Sequence, residues 1–318
     1  MKIQRNKVVI IGAGNVGSQV LYTLLSSQSI AELVIIDKNA TKAEGEAVDA
    51  SHATSFAYSP NIKVKTGDYS ECADANIIVM TAGPSAKPSE VGDRLALTSK
   101  NLAVVKDVME KITQYTKEAI IIMVSNPVDV LTYYAQNYFD YPKEKIFGTG
   151  TTLDTARFRR ILSAKYLIDT KNVHGYILGE HGETAFAAWS STNIAGIPID
   201  DFDILNKEIV LDKKIVEEAV KVTGHEVLTS KGYTNFGVAK SIERIVQAIL
   251  SNELSVLPLS TTLEGEYGIE NVALSLPCVV TKDGIGKRLE TPLSIEEVSK
   301  LKLSALKLKE AFENAYKA

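Results

Sequence analysis

Lys7-Val8-Val9-Ile10-Ile11-Gly12-Ala13-Gly14-Asn15-Val16-Gly17 decides the fold of this 318-residue chain. The first five residues are a short apolar run rich in β-branched side chains, which reads as a strand. Three glycines follow at once, spaced G-x-G-x-x-G, and an amphipathic segment runs on through Leu25. The next apolar run, residues 33–36, ends in Asp37, about 20 residues beyond the last glycine, as a dinucleotide-binding turn requires. Gly12 allows the tight turn, Gly14 lets backbone approach a pyrophosphate, and Gly17 lets the helix pack closely on the strand. The backbone of Gly12, Ala13, Gly14, Asn15, Val16 and Gly17 then surrounds a helix N-terminus, whose unpaired N–H groups attract phosphate. Asp37 is the acid for the adenosine ribose hydroxyls. Lys38-Asn39 behind it supplies no arginine for a ribose phosphate, so the sequence favours NAD over NADP.

Outward from this stretch, strand candidates recur at residues 62–65, 77–81 and 119–124, separated by helical segments that include residues 95–116. Such alternation predicts an α/β chain with a doubly wound, Rossmann-type parallel sheet, and ligands bind such sheets at the carboxyl ends of the strands. Those ends carry Asp37, Thr81-Ala82-Gly83 and Ser125-Asn126-Pro127. By itself Asn126 is equally a turn former; its place beside the other strand ends favours a ligand contact. Residues 83–94 are rich in Pro, Gly and Ser and read as a loop at the cofactor edge, a candidate lid. Arg94 at its far end is either a solvated surface arginine or, on a closing lid, a group that polarises a substrate carbonyl.

Composition narrows the function. Lys+Arg 35 against Asp+Glu 39 leaves a net charge of -4 with no basic block, which argues against nucleic acid as the principal partner. Cys72 and Cys278 form no spaced motif and suggest no disulfide framework, as expected in a reducing compartment. The first apolar run begins too early to leave room for a signal peptide, and no run approaches the roughly 18 residues of a membrane span. The expectation is a cytosolic protein. His52, His174, His181 and His225 form no ligand cluster, so no metal site is expected.

Beyond residue 148 single strands and helices no longer alternate, and we expect a Rossmann domain over residues 1–148 followed by an α+β substrate domain over residues 149–318. Residues 173–178 and 186–191 read as strands, 203–230 and 234–251 as mainly helical, 255–259 and 272–280 as strands, 264–268 as a turn, and 294–316 as a helix. Pro277 in the penultimate strand suggests an edge or an irregularity. On a helical wheel for the segment after Gly150, Asp154 and Arg157 share the apolar arc with Leu153, Phe158, Ile161 and Leu162, while Arg159 and Arg160 point away from its centre. Charges aimed inward are costly unless paired or facing a polar cleft. A structural ion pair three residues apart accounts for them on one helix alone. The strand end Gly179-Glu180-His181-Gly182 adds a histidine held between glycines, for which an inward Asp154 is a plausible orienting partner that raises its pKa.

These motifs together, with Leu153-Asp154-Thr155-Ala156-Arg157 and Lys231-Gly232-Tyr233-Thr234, closely resemble the L-lactate and malate dehydrogenase family over essentially the whole chain. The resemblance implies that His181 is the proton donor and acceptor, Asp154 its partner, Arg157 the substrate carboxylate anchor and Arg94 the lid arginine. It implies that Asn126 orients substrate or cofactor, and that Thr234 and Val238 line the nicotinamide end of the pocket. It also suggests a homotetramer, or a dimer in equilibrium with one.

Where the family usually has arginine (malate) or glutamine (many lactate enzymes) before Lys-Pro, this chain has Ala86 before Lys87-Pro88, in a loop two residues longer than usual. A dicarboxylate would leave its distal charge poorly paired, so pyruvate is favoured over oxaloacetate. A broader 2-hydroxyacid dehydrogenase, of the hydroxyisocaproate kind, stays open, as does a second carboxylate held by Lys87. In bacterial lactate dehydrogenases of this kind fructose 1,6-bisphosphate binds at a subunit interface through an arginine and a histidine that match Arg159 and His174. A non-catalytic NAD-binding sensor or a methyltransferase would need neither the inward Asp-Arg pair nor the Gly-flanked histidine.

Overall fold

The structure is a computed structural model that describes residues 6–56, 61–84, 94–205 and 210–317, with only the backbone at residues 94 and 95. Ala86 and Lys87 lie outside these residues, as does the side chain of Arg94.

The first strand, β1 (Asn6–Ile11), runs into the glycine turn and α1 (Asn15–Leu24). Then come β2 (Ile30–Ile36), α2 (Ala40–Ala53), β3 (Lys63–Thr66), β4 (Ile77–Met80), α3 (Arg94–Ile112), β5 (Ile120–Met123), α4 (Val128–Asn137) and β6 (Ile146–Gly148). These six strands pair in parallel in the order β3-β2-β1-β4-β5-β6, which reverses direction between β1 and β4. The sequence reading missed β6. Its three residues are too short to show a period, and all three are buried.

Both faces of the parallel sheet are covered, so its strands are apolar throughout instead of alternating. Val9, Ile11, Ile78, Met80, Ile121 and Met123 face one core with α3 and α4. Val8, Ile10, Ile77, Val79, Ile120 and Ile122 face the other with α1 and α2. Each such side chain contributes roughly 1.5–3 kcal/mol on burial.

The second half opens with α5 (Thr152–Tyr166), then the short strands β7 (Val173–His174), β8 (Ile177–Leu178), β9 (Phe186–Ala187), β10 (Asn193–Ile194) and β11 (Ile197–Pro198). The run 173–178 is therefore two strands broken at Gly175-Tyr176. The expected strand over 186–191 ends at Ala187 and gives way to a 3-10 turn at Trp189–Ser191. Two helices, α6 (Ile199–Leu205) and α7 (Lys213–Lys231), stand in place of one, followed by α8 (Phe236–Leu250). Long strands β12 (Val256–Glu264) and β13 (Glu270–Thr281), then β14 (Gly284–Arg288) and α9 (Ile295–Lys317), close the chain.

These last three strands do not form a separate sheet. β12 pairs antiparallel with β6 through Ser260 and Gly148, so one nine-stranded sheet, β14-β13-β12-β6-β5-β4-β1-β2-β3, runs through both halves. β13 is also not an edge strand: it pairs with β12 on one side and β14 on the other, and Pro277 sits directly opposite Pro258. The Pro258 carbonyl accepts from the Thr152 hydroxyl and the Pro277 carbonyl from the Leu289 N–H, so both prolines turn their backbone away from each other and the missing donors remove no bond between β12 and β13. The irregularity that Pro277 suggested appears one step on, as a register shift between Cys278 and Val280.

Candidate active site

The carboxyl ends of β1, β4 and β5 open into a cleft of about 870 Å³, closed on its far side by α5, α7 and the start of α8. At the glycine turn the backbone explains the residue types. Gly12 has φ +108°, a conformation that side chains rarely adopt, and a β-carbon on Gly17 would lie 1.8 Å from the Gly12 carbonyl oxygen. Gly14 faces open space in the cleft and caps α1 without any side-chain hydrogen bond. The first turn of α1 is thus left to receive an anion. The Asp37 carboxylate, at the end of β2, accepts from the Ala13 N–H (2.7 Å) and the Asn39 N–H (2.8 Å), which ties it to the turn. The Thr81 hydroxyl donates to the carbonyls of Ile11 and Gly12 (3.0 Å each), and the Ser125 hydroxyl donates to the carbonyl of Ala82 (2.7 Å). A bare backbone cradle, an open glycine and a fixed carboxylate fit the pyrophosphate and adenosine ribose of NAD. The Asp37 charge would repel a ribose phosphate.

At the other end of the cleft α5 presents Asp154 and Arg157 on one face. Asp154 Oδ1 accepts from Arg157 Nη1 at 2.8 Å, and its Oδ2 lies 2.5 Å from His181 Nδ1. Asp154 is 7% exposed, whereas about a quarter of the His181 side chain is open to the cleft. The charge of Asp154, reinforced by its hydrogen bond, raises the His181 pKa to about 9 against the opposing effect of burial and of Arg157. Burial works against ionisation of Asp154, but the charges and hydrogen bonds of His181 and Arg157 outweigh it and hold the carboxyl below its ordinary range. The result is a protonated imidazole whose Nδ1 is engaged and whose other nitrogen remains for a ligand, beside a guanidinium.

Gly14, Asn15, Val16, Thr81, Gly83, Ser125, Asn126, Asp154, Arg157, His181, Thr234 and Val238 all border this one cleft. Gly12, Ala13, Gly17, Asp37 and Ala82 form the turn and strand ends beneath it. Arg159 and His174 lie outside it: Arg159 Nε donates to the carbonyl of Gly175 (3.1 Å), its guanidinium stands 5.5 Å over the Tyr176 ring, and His174 is exposed on β7. Two residues escaped the sequence reading. Asn101 donates from Nδ2 to the carbonyls of Pro84 (3.1 Å) and Asn126 (2.7 Å), linking two strand-end loops. Asp129, in the first turn of α4, accepts the backbone N–H of His181 at 2.7 Å. Neither sits in a local motif; a polar residue on a helix beside an apolar run was the only signal.

A cofactor cradle of this kind, with a histidine-carboxylate pair and a guanidinium at the other end of the cleft, is the site of an NAD-dependent dehydrogenase. The chain belongs to the lactate/malate dehydrogenase family. Residues 6–148 match its NAD binding domain, and residues 151–318 match its alpha/beta C-terminal domain. Within the family, the chain is 58% identical over 310 residues to L-lactate dehydrogenase 2 of Clostridium acetobutylicum, covering 97% of both chains. It is 49% identical to the L-lactate dehydrogenase of Selenomonas ruminantium, covering 98% of both. Among solved structures it resembles the minor L-lactate dehydrogenase from Enterococcus mundtii in its ligands-bound form, with TM-score 0.92 and 37% identity over 97% of this chain and 98% of that one. Among the described residues no helix is long and apolar enough to cross a membrane, and no group of side chains could hold a metal ion.

Proposed function

We propose that this chain catalyses the reversible NADH-dependent reduction of pyruvate to L-lactate, a reading carried by the contact of Asp154 with both His181 and Arg157. Reduction of a 2-keto acid needs a hydride on carbon, a proton on oxygen and a fixed carboxylate. When bound in the cleft, NADH supplies the hydride. Arg157 holds the substrate carboxylate as a two-pronged donor and so orients the carbonyl carbon. His181 gives its proton to the carbonyl oxygen, while Asp154 keeps Nδ1 engaged and stabilises the imidazolium. Arg94 polarises the carbonyl from the lid, and Asn126, Thr234 and Val238 shape the nicotinamide end. Ala86 puts no cation where malate enzymes of the family usually carry an arginine, which favours pyruvate over a dicarboxylate.

Residues 1–148 form the Rossmann domain with the NAD cradle and the lid, and residues 149–318 form the α+β domain that supplies the acid-base pair and the carboxylate anchor. The effector and assembly follow the same reading: fructose 1,6-bisphosphate at a subunit interface through Arg159 and His174, and a homotetramer. The two residues are neighbours through Gly175, which supports a shared site. Free, buried Cys72 and Cys278 suit a reducing cytosol.

The test is steady-state NADH oxidation with pyruvate, oxaloacetate and 2-ketoisocaproate, each with and without fructose 1,6-bisphosphate. Preference for pyruvate is expected; preference for oxaloacetate or ketoisocaproate refutes the substrate assignment. His181→Ala should abolish turnover and spare NADH binding. A calorimetric titration without bisphosphate binding would remove the effector.

A further inference from the structure

Asp129 is 2% exposed, yet it carries a carboxylate where an uncharged group would make the same visible contact. Its Oδ2 accepts the His181 N–H at 2.7 Å, a bond that spans 52 positions of sequence, while its Oδ1 completes no hydrogen bond among the described residues. Burial pushes the Asp129 pKa up to about 6, against the Ser260 hydroxyl of β12 beside it and the His181 N–H, so the group is ionised at the higher pH where the His181 imidazole loses its proton. Burying a carboxylate is expensive, and an asparagine would also accept a single backbone N–H, though less strongly. What the carboxylate adds is charge, held in the first turn of α4 where the helix dipole favours it.

We infer that Asp129 is a positioning residue for the proton transfer: it anchors the His181 backbone and adds a second negative charge, besides Asp154, that keeps the imidazole protonated. The inference rests on His181 being the proton donor. The same three-residue step joins the two functions of this loop, since Asn126 faces the cleft and accepts the Val128 N–H (3.2 Å) just ahead of Asp129. Asp129 lies against His181 and Glu180 of the loop after β8 and Ser260 of β12, and it borders a cavity shared with Lys309 and Glu313 of α9, Tyr133, Tyr138 and Asn271. His181 in turn meets Asp154 and Arg157 of α5, and it shares the cleft with Glu183 of its own loop and with Glu218, Lys221 and His225 of α7. Lys309 and Glu313 oppose each other in sign, and Glu180 is engaged by the Thr184 N–H (3.0 Å), so Asp129 is the carboxylate besides Asp154 that bonds to His181.

The test is the pH profile of kcat/KM for pyruvate reduction in the full-length enzyme and in Asp129→Asn, which preserves the acceptor and removes the charge. The basic limb should move to lower pH by roughly half to one unit, with kcat affected more than the KM for pyruvate. A folded Asp129→Asn enzyme with an unmoved basic limb overturns the inference alone. A wild-type enzyme without a His181-dependent basic limb overturns the acid-base reading and this inference with it. Hydrogen exchange tests the anchor separately: the His181 amide of the wild-type enzyme should exchange more slowly than in Asp129→Ala, and an unchanged rate in that folded variant would refute the anchor.

Discussion

Replacing Asp154 with asparagine separates charge from shape at the acid-base pair. Asp154 is the largest reason that the His181 pKa stands at about 9 instead of 6.5, a difference of about 3 kcal/mol in favour of the imidazolium. With that charge gone and the imidazole near its ordinary value, the protonated fraction at pH 7.5 falls from about 97% to about 10%. Ionisation alone then costs roughly tenfold in pyruvate reduction at that pH. The amide keeps an acceptor for Nδ1 but an uncharged and weaker one, and the looser ring adds about tenfold more, which is independent of pH. The two parts are separable. Following NADH absorbance from about pH 5.5 to 10, the ionisation deficit should vanish at the acid end, where both imidazoles are protonated, and the orientational deficit should persist. An Asp154→Asn profile parallel to wild type with the same basic limb would refute this reasoning.

Other expectations concern the rest of the site and the fold. Arg157→Lys exchanges a planar fork for a point charge and should raise the KM for pyruvate about a hundredfold while leaving NADH binding, measured by fluorescence, unchanged; weakened NADH binding would argue against a carboxylate anchor. Asp37→Ser removes both the repulsion of a ribose phosphate and the bond to Ala13, so NADH should lose affinity while the NADH/NADPH preference narrows, as paired KM values would show. Gly17→Ala would drive a β-carbon to 1.8 Å from the Gly12 carbonyl, and calorimetry should show a lowered Tm with loss of cofactor binding. The raised His181 pKa contributes stability that is fully present below about pH 6.5 and lost as pH rises through about 9, so the Tm advantage of wild type over His181→Gln should shrink across that window. The lowered Asp154 pKa contributes stability present above its ordinary value of 3.8 and lost as pH falls through its folded value.

The sequence by itself determined the parts whose signals are local. Gly12, Gly14 and Gly17 announce a turn because their backbone roles belong to a few successive residues, and Asp37 follows at the distance that one strand-helix-strand unit imposes. Asp154 and Arg157 were legible because a helix brings residues three apart onto one face, and an inward charge on an apolar arc demands an explanation. Only the tertiary structure decided what joins distant segments. The bond from His181 to Asp129 spans α4 and the loop after β8, and no periodicity links residues 52 apart. The single sheet through both halves depends on Gly148 of β6 meeting Ser260 of β12, a pairing between a three-residue strand too short to show a period and a residue just past the expected strand over 255–259. Helix faces and glycine turns are encoded within a few residues by backbone geometry. Strand partners and buried polar contacts are set by which surfaces meet when the chain closes on itself, and that is a property of the packed fold.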